Sequence, residues 1–147
     1  MPPADARLAE AVALRQAGRA DEARPLLIAL AAEFPADPQV QYQAGWVHDL
    51  LGHEAEAVPY YERALALDLP EPERAGLLLS LGSTYRNVER HAEAVATLQR
   101  GLTEHPDDPA MRCFLALAQH SAGRASEALA LALDVVLTHC PAPEIER

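Results

Sequence analysis

The chain has 147 residues, half of them apolar, enough for one ordinary domain with a sizeable core. Its net charge of −10 argues against attraction to nucleic acid or anionic lipid, both of which need clustered positive charge. The apolar content is mostly Ala and Leu, with few β-branched or aromatic residues, so the composition predicts an all-α protein. Every cationic side chain is Arg. Met1-Pro2-Pro3-Ala4-Asp5 shows neither a basic start nor an apolar run, and no later stretch reaches the length of a membrane span, which predicts a cytoplasmic location. In such a reducing compartment Cys113 and Cys140 are expected as free thiols.

In chain order, apolar periodicity and end signals predict eight helices, about 4–17, 20–34, 38–51, 54–68, 72–88, 91–104, 108–122 and 125–139. Asp37-Pro38 and Asp108-Pro109 pair an N-cap acceptor with a proline at the first helical position, where its missing N–H costs nothing. Phe34-Pro35, Leu69-Pro70 and His105-Pro106 end the preceding helices, because a residue before proline is pushed out of the α region. The tail 141–147, with Pro141 and Pro143, is expected to be loosely packed.

One arrangement returns along the chain. In residues 44–68, Gly45 is followed by Gly52, Ala57, Tyr61 and Ala64 at steps of seven, five, four and three. This pattern resembles the tetratricopeptide repeat (TPR), a unit of two antiparallel helices. Aligning the turn glycine puts unit starts at Ala4, Pro38, Ala75 and Pro109, with spacings of 34, 37 and 34 residues. Three turns carry glycine, as Gly18, Gly52 and Gly123; the third carries Glu89 and is expected to need another geometry. The small residue at the close helix contact is Ala23, Ala57, Ala94 and Ala128, and the larger one four places on is Leu27, Tyr61, Leu98 and, in the final unit, only Ala132. Three additional residues around Leu69-Pro70-Glu71-Pro72-Glu73 predict an early start for the third unit's first helix. His48-Asp49-Leu50-Leu51-Gly52 and Leu81-Gly82-Ser83-Thr84-Tyr85-Arg86-Asn87 resemble segments of short, stand-alone bacterial TPR proteins over residues 38–139, a likeness that brings a fold and no activity. The fold implied is a right-handed α-solenoid, a single domain over residues 1–140 with repeats at about 4–37, 38–74, 75–108 and 109–140.

In such a solenoid the first helix of each pair lines the concave wall. Repeat positions 5, 9, 12 and 13 share one face of that helix. They hold Leu8, Val12, Arg15 and Gln16; Tyr42, Trp46, Asp49 and Leu50; Leu79, Ser83, Arg86 and Asn87; and Cys113, Leu117, His120 and Ser121. The apolar part centres on Tyr42, Trp46, Leu79 and Leu117. The polar part is the row Arg15, Asp49, Arg86, His120, which is either an ion-pair ladder fixing helix register or a row with one positive charge in excess. In the second case Arg86 and Asn87 would donate to a ligand carboxylate or phosphate. Trp46, the sole tryptophan, is either an aromatic anchor for a ligand or a packing residue against the third unit. Chaperone-clamping TPR modules carry Lys, Asn and Arg at positions 5 and 9; this chain does not.

No His-x-x-x-His, Cys-x-x-Cys or glycine-rich phosphate loop occurs, so no metal or cofactor is expected. Cys113 and His120 share a helix face but stand roughly 10 Å apart along it, too far for a nucleophile–base pair. Ser126 to Leu137 is apolar nearly all round with no polar capping helix after it, so it expects cover from the tail or from a second copy. The reading is a non-enzymatic adaptor that binds a peptide or protein segment in its groove, with homodimerisation through the C-terminal helices as the alternative.

Overall fold

The structure, a computed structural model, describes residues 4–140; the tail lies outside them. The described residues form eight helices: α1 (Ala4–Gln16), α2 (Ala20–Glu33), α3 (Pro38–Leu50), α4 (Glu54–Ala66), α5 (Glu73–Asn87), α6 (His91–Glu104), α7 (Pro109–Ser121) and α8 (Ala125–His139). Each expected helix is present within a residue or two at either end.

The punctuation works as the side-chain chemistry requires. Asp37 Oδ1 accepts from the N–H groups of Gln39 and Val40 at 2.9 and 3.2 Å, and Asp108 Oδ1 from Met111 at 3.1 Å, so both helices start on a satisfied donor. Gly18, Gly52 and Gly123 close their turns at φ of 77°, 75° and 80°. The third turn corrects the sequence expectation, because Glu89 takes the same left-handed conformation at φ 64°. All four turns share one closing bond, in which Arg19, His53, Arg90 and Arg124 N–H donate to the carbonyl five residues back at 2.8 to 2.9 Å. The helix-ending geometry therefore outweighs the steric cost of a side chain at this position. The three-residue insertion follows α4 and the turn residue Asp68, which takes φ 53°, and α5 starts at Glu73, ahead of the repeat register, as expected.

Within each pair, a small residue on the first helix receives a large one from the second. A Cβ on Gly45 would stand 2.6 Å from the Tyr61 ring, and one on Gly82 would overlap Leu98. In the first unit Ala11 and Leu27 occupy the same two places, both fully buried. In the last unit the places hold buried Ala116 and exposed Ala132, so the contact thins out at the C-terminal end.

Successive pairs stack because each odd helix also packs on the even helix before it. The odd helices α1, α3, α5 and α7 approach one another, while no even helix touches another even helix among the described residues. This asymmetry bends the stack so that the odd helices form its inner wall.

Candidate functional site

On the inner wall, α1 and α3 enclose a cleft of about 440 Å³. Leu8, Val12, Arg15 and Gln16 line it from α1, Gln39, Gln43 and Trp46 from α3, and Glu73 from the start of α5. These four α1 residues are the ones that the repeat register assigned to the concave face, and Asp5 and Ala9 join them in the lining. Trp46 is half-buried between two neighbours. The Arg15 guanidinium carbon lies 3.7 Å from its ring centroid, and the Tyr42 ring lies 5.5 Å away. Tyr42 itself is 4% exposed and wedged beside Tyr61, with its hydroxyl against the α5 backbone at Gly76. It backs Trp46 from within the core.

Arg15 is only 8% exposed, and among the described residues it has no carboxylate within 4.0 Å and its Nε lacks a partner. Burial depresses its pKa below the ordinary guanidinium value, with Tyr42 and Tyr61 acting in the opposite direction. Beside it, the Oε1 atoms of Gln39 and Gln43 are buried and without donors. These two glutamines were missed because they sit at repeat positions 2 and 6, outside the face assigned to ligands. The third glutamine of the segment, Gln41, is fully buried and donates to Ala31 O at 3.2 Å.

Farther along the wall, Asp49 faces inward to the pair interface. Its Oδ2 accepts from the Tyr61 hydroxyl at 3.2 Å and lies 3.3 Å from the Thr84 hydroxyl, whose 2.7 Å bond goes to Ser80 O. Burial raises the Asp49 pKa, and the two hydroxyls offset this only in part. Asn87 donates to Glu54 at 2.8 Å. Arg86 is half-buried, with an unpartnered Nε and no carboxylate within 4.0 Å among the described residues. No ion pair joins Arg15, Asp49, Arg86 and His120 among the described residues, so the row is not a ladder but two separate cations on either side of an aspartate engaged elsewhere.

Leu79 packs at the edge of the main core, Ser83 is half-buried, and Leu50 is exposed. Leu117 and His120 are exposed at the far end, where they line an apolar groove of about 520 Å³ with α8. The concave-face positions thus resolve into two regions, a polar cleft at α1–α3 and an apolar groove at α7–α8. Among the described residues no three His, Cys, Asp or Glu side chains converge as metal ligands, and no helix is long and apolar enough to cross a membrane.

The sequence profile of the family described as "Tetratrico peptide repeat" matches residues 38–144. No curated protein matches the chain. Among solved structures, MamA truncated to residue 41 onward, from Desulfovibrio magneticus RS-1, superposes with a TM-score of 0.79 at 20% identity, covering 90% of this chain and 73% of that one. Another structure of MamA superposes with a TM-score of 0.81 at 16% identity, covering 95% and 78%. YrrB, described as a TPR protein with an unusual peptide-binding site, gives 0.79 at 20% identity, covering 90% and 67%. At these identities the likeness concerns the fold alone.

Proposed function

The chain belongs to the tetratricopeptide repeat family, and from that premise we propose that it is a non-catalytic adaptor whose concave groove binds a peptide or protein segment. The observation that carries this is the half-buried Trp46, held between Arg15 and Tyr42 on the wall of an inner cleft. An aromatic ring fixed by its neighbours loses little freedom when a ligand covers it, which is what an anchor needs. Leu50, Leu79, Ser83 and Leu117 extend the contact surface, and Arg86 with Asn87 offers donors to an acidic group on the ligand, while Tyr42 and Asp49 support the wall from behind. The peptide-binding site named for YrrB is in keeping with this reading. A cytoplasmic setting fits the free, exposed thiols of Cys113 and Cys140.

Selection from a displayed peptide library tests the proposal. Recovered peptides should shift the emission of Trp46, and their affinity should fall at least tenfold in a Trp46→Ala, Arg86→Ala variant. Ligands that bind this variant unchanged would place recognition elsewhere.

A second reading, homodimerisation, draws on α8. Leu129, Leu133, Val136 and Leu137 are 61%, 51%, 52% and 81% exposed along the helix, and no later helix covers them among the described residues. Light scattering of the wild type and of a Leu133→Glu, Leu137→Glu variant decides it: a dimer reduced to monomer by the charges supports the interface, and a monomeric wild type at high concentration removes it.

A further inference from the structure

We propose that a second copy of this chain covers α8, the two helices lying antiparallel about a twofold axis at Leu133, so that Leu129 of one protomer packs beside the partner's Leu137. This rests on the homodimer reading above and adds to it the orientation and register of the pair.

At 3.6 residues per turn, Leu129, Ala130, Leu133, Val136 and Leu137 fall on one face of α8, with Ser126 and Cys140 at its two ends. Every one of them is exposed. The acids of the helix, Glu127 and Asp134, lie off this face, and Asp134 is held at 3.4 Å by Arg112 of α7. From Leu129 to Leu137 the stripe therefore runs without charge for about 12 Å.

An apolar stripe of this kind calls for an apolar partner. Outside α7 and α8, the exposed large apolar side chains among the described residues are Leu26 on α2 and Leu50 on α3. The first helix pair exposes Asp5, Glu10 and Asp21 beside Leu26, so a head-to-tail stack would set the stripe against a polar surface and leave an open chain of copies. The matching surface that a second copy offers is α8 itself, which makes the contact isologous.

The order of side chains along the stripe sets the orientation. Counted outward from Leu133, Ala130 and Val136 are three places away, Leu129 and Leu137 four, and Ser126 and Cys140 seven. An antiparallel pair joins each residue to its counterpart across that centre. Leucine then lies beside leucine, and Val136 fills the space that the partner's Ala130 leaves. A parallel pair would set Ala130 against Ala130 in one layer and Val136 against Val136 in another, and would align the two macrodipoles.

Disulfide capture in a Cys113→Ser, Cys140→Ser background tests this, together with light scattering of the wild type. Both native thiols and all three leucines to be replaced are exposed, so the substitutions leave the core intact. Leu133→Cys should cross-link to itself under mild oxidation, and Leu129→Cys should cross-link to Leu137→Cys when the two are mixed. Leu129→Cys alone should stay unlinked, because its two copies would stand about 12 Å apart along the helices, beyond the reach of a disulfide. A dimer in which Leu129→Cys and Leu137→Cys each link to themselves is parallel; it overturns the register and leaves the homodimer reading standing. A dimer that none of the three cysteines captures forms through another surface and overturns both. A monomeric wild type at high concentration also overturns both.

Discussion

Arg15 of α1 lies over the ring of Trp46 in α3, its guanidinium carbon 3.7 Å from the ring centroid, and thereby ties the first helix pair to the second across the inner wall. Direct packing between these two helices is sparse, so the pair is a main point of contact there. A cation over an indole face is worth about 0.5–2 kcal/mol, more where water is excluded. Arg15→Ala and Trp46→Ala should therefore couple by about 1 kcal/mol in a double-mutant cycle followed by urea unfolding. Strictly additive effects would mean that the two side chains are neighbours without interaction.

The close approach of α3 and α4 depends on Gly45, where an added methyl group would stand 2.6 Å from Tyr61 Cδ1. Tyr61 is fully buried and its hydroxyl is held by Asp49, so the ring has little room to retreat. Gly45→Ala should destabilise the protein by about 1–3 kcal/mol, although alanine is the better helix former. The companion substitution Ala57→Leu, at another fully buried position of the same interface, should cost a similar amount. Thermal unfolding that shows either variant at or above wild-type stability would contradict the packing argument.

Periodic features were legible in the sequence because they are local. Helix ends follow from Asp37-Pro38 and Asp108-Pro109, the helix pairs from the recurring Ala23, Ala57, Ala94 and Ala128, and the inner wall from a fixed register. What the register could not supply was the competition among partners. Arg15, Asp49 and Arg86 share a row, yet Asp49 goes to Tyr61 and Thr84, and Arg15 goes to an aromatic face, because hydroxyl and ring partners lie nearer than the flanking charges. Likewise, Glu89 breaks the glycine rule without changing the turn, since backbone hydrogen bonding there overrides residue preference. That the side-chain oxygens of Gln39 and Gln43 are buried without a partner depends on packing, which the register does not encode.

Asp49 carries a pH-dependent cost. Burial raises its folded pKa above the unfolded value, so at neutral pH the charged carboxylate disfavours folding. As pH falls through the folded pKa toward the unfolded one, folding takes up the proton and this cost disappears. Asp49→Asn keeps an oxygen acceptor for the Tyr61 and Thr84 hydroxyls without the charge. It should raise the melting temperature at pH 7 and leave it nearly unchanged near pH 3. An equal shift at both pH values would attribute the effect to packing and not to charge. Glu104 works in the opposite sense: Arg74 and then Arg100 hold its pKa down to about 2, so its contribution is present above the unfolded pKa and is lost on acidification toward pH 2. Being largely solvent-exposed, it contributes only a small part of the acid sensitivity.

Glu89 and Gly52 occupy equivalent turns in the same left-handed conformation, at φ 64° and 75°. For a residue with a Cβ that conformation costs roughly 1–2 kcal/mol, whereas glycine adopts it freely and instead loses more chain entropy on folding. The two effects oppose each other, and the conformational one is the larger at a position fixed by the closing Arg90-to-Tyr85 bond of 2.8 Å. Glu89→Gly should therefore stabilise the protein by about 0.5–1 kcal/mol in urea unfolding. The reverse exchange, Gly52→Ala, should destabilise it by about 1 kcal/mol, and because nothing lies within 4 Å of the added Cβ, no steric clash confuses the comparison. If both variants move in the same direction, the turns are not conformationally equivalent, and the third unit closes by some force other than the shared helix-ending bond.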